Sequence, residues 1–263
     1  MRALIAASVL GALTSACDPD LTVQKVPADA SVDAPQPAVG DAAAPSSDAP
    51  SSNDGGEQDG ETDAPAGGHV IDGTNDFTPG ETFATSSTTY TAYVSWDDKS
   101  VYFGMLGEDI GKPASDKKWV LAYFGVASGA GTTNGIDYSD GSGAASQQPT
   151  LPFSAQHHVR LKTDLSYLNG QTWSGSAWAA GSLVPDCERK DTFVECRVSR
   201  AGLGNPTMLS LHVSMVKEQP GAEWTYAAVP QTSFTDGKDP NYGKYFEFDL
   251  TKAPTAPNTS AAQ

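Results

Sequence analysis

Leu209-Ser210-Leu211-His212-Val213-Ser214-Met215 alternates without a break, four apolar side chains with three polar ones between them. Successive side chains of an extended chain point to opposite faces, so a period of two over seven residues predicts a strand with one buried face. A helix would scatter the same residues around its axis. The pattern recurs outward from this stretch. Ala92, Val94 and Trp96 share one face, and Val101, Phe103 and Met105 another. His157, Val159 and Leu161 alternate against His158, Arg160 and Lys162; Val194, Cys196 and Val198 alternate against Glu195, Arg197 and Ser199. Turn-forming runs stand between them, such as Asp97-Asp98-Lys99, Asn134-Gly135, Asp140-Gly141-Ser142-Gly143, Asn169-Gly170 and Asp236-Gly237. No window holds a sustained helical stripe. The expected fold class is all-β, an antiparallel β-sandwich of the jelly-roll kind.

The aromatic residues set the domain limits. All 5 Trp, 9 Tyr and 9 Phe fall between His69 and Lys252, so residues 69–252 are expected to carry the core. From Asp18 to Gly68 the chain has eleven acids, one base (Lys25) and no aromatic residue. Such a segment cannot bury enough apolar area to offset its ordering entropy and is expected to be a disordered linker. As a flexible coil of roughly 50 residues it would reach about 35–42 Å. Residues 253–263 are expected to form an unstructured tail.

Residues 1–16 have the layout of a signal peptide: a basic start at Arg2, an apolar run from Ala3 to Leu13, then small residues before Cys17. The run is well short of the ~20 residues a membrane-spanning helix needs. Ser15-Ala16-Cys17 resembles the end of the bacterial lipobox, with Thr14 where that motif has Leu. The resemblance implies lipidation at Cys17, export, and anchoring to a bacterial membrane, in the periplasm or at the cell surface. The competing reading is ordinary cleavage near Ala16.

Cys187 and Cys196 remain. Centring a hairpin turn on Asp191-Thr192 puts them opposite each other, where a cross-strand disulfide is feasible. Disulfides persist in oxidising compartments, in keeping with export. The alternatives are buried thiols or a metal pair, and no nearby His or further Cys completes a zinc set. Net charge is −16, of which the linker carries −10 and the domain −7, with Arg2 contributing +1. The domain has no basic stripe, which argues against nucleic acid or anionic lipid as a partner. Membrane contact is expected only through the lipid.

Several segments, in order, resemble the family 9 carbohydrate-binding modules and the wider DOMON-like β-sandwich superfamily. They are Val70-Ile71-Asp72-Gly73-Thr74-Asn75-Asp76-Phe77, Trp96-Asp97-Asp98 with the strand after it, Trp119 to Phe124 as a central strand, Arg200-Ala201-Gly202-Leu203-Gly204, and the closing Asp239-Pro240-Asn241-Tyr242-Gly243. The resemblance implies a sugar clamped between two Trp residues, one just before the central strand and one just before the closing motif. Here Pro113 to Asp116 has no aromatic at the first place, and Phe234 stands near the second. The candidate carbohydrate-binding residues are therefore Trp173 and Trp178, which lie in a Gly/Ser-rich stretch, with Phe234 and Tyr242. The alternative for the two Trp residues is that they fold back and cap the sandwich.

No cofactor is expected. Calcium needs six or more oxygens, and the oxygen-rich runs Asp137 to Asp140 and Asp236 to Asn241 read more simply as turns. Some DOMON-like domains bind haem through Met and His; Met105, Met215 and His157 fall on apolar faces, where Met is also a common gap-filler. No catalytic role is expected. The chain has no nucleophile elbow, zinc-protease motif or phosphate-binding glycine loop. The Ser-x-x-Lys runs at Ser115–Lys118 and Ser214–Lys217 sit near strands, not on the helix that such a pair needs. His157 and His158 are strand neighbours and point to opposite faces. The expected function is glycan or polysaccharide binding by an envelope lipoprotein. The rival is a non-catalytic protein-interaction or structural module of the cell envelope with no small-molecule ligand.

Overall fold

The structure, a computed structural model, describes residues 68–127, 129–137, 148–181, 183–219, 222–238, 241–254 and 259–262. The signal segment, Cys17 and the linker lie outside the described residues. Fifteen strands are described: β1 (Thr82–Ala84), β2 (Thr91–Trp96), β3 (Ser100–Leu106), β4 (Lys118–Val126) and β5 (Thr132–Asn134). Next come β6 (Thr150–Ala155), β7 (His157–Lys162), β8 (Leu168–Trp173), β9 (Trp178–Ala180) and β10 (Asp186–Lys190). The last are β11 (Phe193–Ser199), β12 (Met208–Gln219), β13 (Ala222–Val229), β14 (Tyr245–Asp249) and β15 (Thr259–Ala262). The helical turns among the described residues are two short 3-10 segments, Pro79–Glu81 and Ala114–Asp116.

The strands form two main antiparallel sheets. The smaller runs β1-β2-β3-β11-β10, the larger β15-β14-β12-β4-β7-β8-β9, and β13 pairs with β12 alongside β14. Their inner faces are the apolar halves of the alternating stretches. Ala92, Val94 and Trp96, Val101, Phe103 and Met105, and Val194, Cys196 and Val198 face the larger sheet. From that sheet come Val120, Ala122 and Phe124, Val159 and Leu161, Leu209 to Met215 in alternation, and Phe246 and Phe248. Phe103 meets Phe124 with ring centroids 5.8 Å apart, and Trp96 meets Phe248 at 5.0 Å. This is a β-sandwich whose core is the contact between sheets. Met105 and Met215, considered above as haem ligands, are fully buried in this core. His157 bonds Thr172 of β8 instead of joining the two Met residues.

Both outer faces are covered in part. Over the larger sheet, the β5–β6 hairpin and residues around Tyr242 build a second apolar cluster of Leu121, Tyr123, Ile136, Leu151, Phe153, Ala155, Val216 and Tyr242. Over the smaller sheet lies the opening segment. Gly73 turns it at φ +78°, and a Cβ there would stand 2.7 Å from the Arg189 carbonyl carbon, so the close approach needs glycine. The backbone N–H groups of Asp72 and Gly73 donate to Glu195 Oε1 at 2.9 and 2.7 Å. Glu81, also buried, accepts from Thr78 and Ser95 and contacts His69.

The Trp96-Asp97-Asp98 motif is structural. Asp97 Oδ1 accepts the Lys99 and Ser100 N–H groups at 2.7 and 2.6 Å, closing the turn between β2 and β3. The Trp96 indole donates to the Lys252 carbonyl. Arg200 reaches the same corner and donates to the carbonyls of Asp97, Leu250 and Pro206 at 2.9, 3.3 and 3.0 Å. Arg200→Leu leaves these acceptors short of donors, and about 1–3 kcal/mol of stability should be lost. Urea unfolding of the variant checks this.

Cys187 and Cys196 are paired in register between β10 and β11 and joined as a disulfide, with the turn at Asp191-Thr192. One expectation fails. The tail is not wholly unstructured, because Thr259–Ala262 pairs antiparallel with β14 as β15. The outer edge of β14 offers unpaired backbone groups, and this last stretch, free of Pro, can take them.

Candidate functional site

An open cleft lies at one end of the sandwich, where β13, β12 and β4 carry Trp224, Lys217 and Lys118 side by side in register. It is lined by these three residues with Tyr90, Glu108, Asp109, Gln219, Tyr226 and Asp236, and its volume is about 520 Å³. Clefts of this size hold small ligands. Strand alternation places Trp224 and Tyr226 on one face of β13. Tyr226 packs edge-on against Tyr90, ring centroids 5.5 Å apart. Trp224 stays 38% exposed, a flat apolar surface open to solvent.

Asp109 is the polar centre. It accepts the Tyr226 hydroxyl at 2.7 Å and pairs with the Lys118 ammonium. Burial works to raise its carboxyl, but hydrogen bonds from Lys118, Tyr90 and Tyr226 outweigh burial and hold it below the ordinary range. Burial, then the neighbouring Asp109 carboxylate, pushes both tyrosine hydroxyls above their ordinary value, so they stay protonated donors. On the opposite rim the two Asp236 oxygens accept the hydroxyls of Ser86 and Ser87, both at 2.6 Å. Those serines in turn accept the N–H groups of Ala228 and Ala227, next to the register shift between β12 and β13. The cleft thus offers an aromatic wall, fixed acceptors and an amide and ammonium donor set. That suits a polyhydroxylated ligand with a flat apolar face.

None of the four residues singled out from sequence lines this cleft. Trp173 and Trp178 pair across the β8–β9 hairpin with centroids 5.6 Å apart, and both are half-buried. Trp178 packs on Tyr123 and His158, and its indole N–H donates to the Asn134 carbonyl at 3.1 Å, so it caps the second cluster. Tyr242 is buried, stacked between His212 (4.0 Å) and Phe234 (5.0 Å), and serves packing. A sugar cannot reach its ring, which corrects its place among the ligand candidates. Phe234 lines a neighbouring hollow that shares Asp236 with the cleft. Trp224 and Tyr90 were missed; the visible signal was the alternation of Trp224 and Tyr226 around Thr225 close before Asp236-Gly237.

Of the runs considered for calcium, residues 138–140 and 239–240 lie outside the described residues. Among the described residues no group of three or more His, Cys, Asp or Glu is placed to hold a metal. No helix among them is long and apolar enough to cross a membrane. Comparison with family models, with curated proteins and with solved structures returns no match.

Proposed function

We propose that this chain is a lipid-anchored protein of the bacterial envelope whose β-sandwich binds carbohydrate in the Trp224 cleft. The observation that carries the reading is the exposed Trp224 face beside a half-buried carboxylate, Asp109, held by Lys118 and Tyr226. Sugars present an apolar face to such a ring and hydroxyls to such acceptors and donors. The likeness to family 9 modules supports the same place. Lys118 opens the central strand and Asp236 precedes Asp239-Pro240, the two positions beside which that family clamps its sugar. Trp224 supplies the wall from a neighbouring strand. The Cys187–Cys196 disulfide supports export to an oxidising compartment, and Cys17 supplies the anchor.

The test is a glycan array probed with the full chain in detergent, followed by titration of the best neutral oligosaccharide. Trp224→Ala should weaken that binding about tenfold or more, the loss usual for an aromatic anchor. Tyr90→Phe, which keeps the ring but removes the hydroxyl, should have a smaller effect. Binding that ignores Trp224→Ala overturns the site, and an array with no bound glycan favours an envelope-protein partner.

A further inference from the structure

The outer face of the larger sheet carries a second polar patch, on β4, β7 and β8, that the cleft does not use. Alternation puts Trp119 of β4, His158 and Arg160 of β7, and Asn169 and Gln171 of β8 on this face. Register pairs His158 with Gln171 and Arg160 with Asn169. The Arg160 guanidinium lies over the Trp119 and Tyr167 rings, 5.7 and 5.3 Å from their centroids, and donates to the Tyr167 hydroxyl at 3.1 Å. Tyr167 is 38% exposed, so the patch is open at that side.

Its hydrogen bonding is incomplete in a patterned way. Arg160 Nε, Asn169 Oδ1, Gln171 Oε1 and both ring nitrogens of His158 are buried atoms with no partner. His158 lies covered by Tyr123 and Trp178. The other three atoms belong to partly exposed residues on two adjacent strands, and buried polar atoms are nearly always satisfied, so these three call for a ligand or ordered water. The atoms differ in kind: two amide oxygens need donors and the guanidinium N–H needs an acceptor. Hydroxyl groups serve both roles. Charge adds a further requirement. Lys162, 3.6 Å from the Trp119 centroid, has Glu218 as its counterion at 3.6 Å, whereas Arg160 has no carboxylate partner among the described residues. A planar guanidinium between two rings, without a counterion, matches a single carboxylate.

We propose that this patch is a second binding site, for a saccharide unit that bears one carboxylate, with Arg160 on the carboxylate and Asn169 and Gln171 on hydroxyls. The ring would lie against Tyr167 and Trp119. The site is independent of the cleft, since it shares no residue with it.

Titration of the full chain with digalacturonate and with the neutral galactose disaccharide tests this. The acidic sugar should bind, and Arg160→Met should weaken it at least tenfold. Arg160→Lys should recover only part of the loss, because the fork geometry is gone. Trp224→Ala should leave digalacturonate binding unchanged, so that failure of the cleft reading and of this one are told apart. If Arg160→Met does not fold, Asn169→Asp takes its place and should abolish binding by placing a second negative charge beside the ligand. Overturning results are no binding of digalacturonate by the native chain, equal binding by native and Arg160→Met chains, or loss of that binding in Trp224→Ala.

Discussion

Acidification from pH 6.5 toward 5 should lower the unfolding free energy steeply, two buried imidazoles each contributing up to about 1.4 kcal/mol per pH unit. His158 and His212 are fully buried on the outer face of the larger sheet, on either side of Tyr123. Burial, with a lesser push from the Arg160 charge, holds His158 well below its ordinary value of 6.5. Burial lowers His212 to about 3, against a weaker opposing bond to the Lys244 carbonyl. Both therefore stay neutral in the native state while the unfolded chain takes up protons below pH 6.5. Their contribution is whole above that pH and is lost as pH falls toward 3.

His157, also lowered by burial, adds to the loss in this window, and Glu195, raised by burial, works against it as pH falls. Glu81, held near 2 by bonds from His69, Ser95 and Thr78 that overcome its burial, loses its contribution only below its ordinary 4.5. His69 works with the opposite sign. Although burial alone would lower it, its bonds to Glu81 and Asp76 raise it, so its contribution is full below 6.5 and fades only above. Urea unfolding at pH 7, 6, 5.5 and 5 gives the slope. His158→Phe keeps a ring against Tyr123, 4.5 Å away, and Trp178, 5.8 Å away, and it removes two unpartnered nitrogens. The variant should be at least as stable at pH 7, and its slope should fall by about 1.4 kcal/mol per pH unit. An unaltered slope would mean the imidazoles are not what acid attacks.

Removing the Cys187–Cys196 bridge should cost about 2.7 kcal/mol by the chain-entropy account, in which a crosslink nine residues apart restricts the unfolded chain. β10 and β11 pair over five residues without help from sulfur, so the native hairpin should persist when the bond is reduced. The effect therefore belongs mainly to the unfolded state, and the dependence on denaturant should steepen as that state expands. Cys187→Ala with Cys196→Ala should lose somewhat more than reduction, because both sulfurs sit in the main core and truncation leaves space there. Unfolding with and without reductant, beside the double variant, separates the two contributions. Equal stability in the oxidised and reduced forms would refute the entropic account.

The fold was legible because alternation is a local property. Leu209 to Met215 needed no knowledge of its neighbours to declare a buried face, and the Asp191-Thr192 turn set the Cys187–Cys196 register from two residues. The cleft was not legible, because its walls come from β4, β12 and β13 and from the loops that carry Tyr90, Asp109 and Asp236, distant in sequence and joined only by the fold. Trp224 looked like an ordinary strand aromatic until register set it beside Lys217 and Lys118. Trp178 shows the converse. Its Gly/Ser neighbours in sequence are not its neighbours in space, where Tyr123 and His158 lie beneath it. Tyr242 had the same fault, since a closing motif near the chain end gives no hint that His212 stacks on its ring.

The opening segment has a mechanical meaning. Any pull delivered through the chain ahead of Gly68 first meets His69, held by Asp76 and Glu81 and stacked on Phe77 at 4.3 Å. Behind it stand the two bonds from Asp72 and Gly73 to Glu195, on a strand 122 residues further along. Load entering at the N-terminal end is thus passed sideways onto β11 before it can peel β1 from β2, so the first event under tension should be release of this strap, with the sandwich still closed.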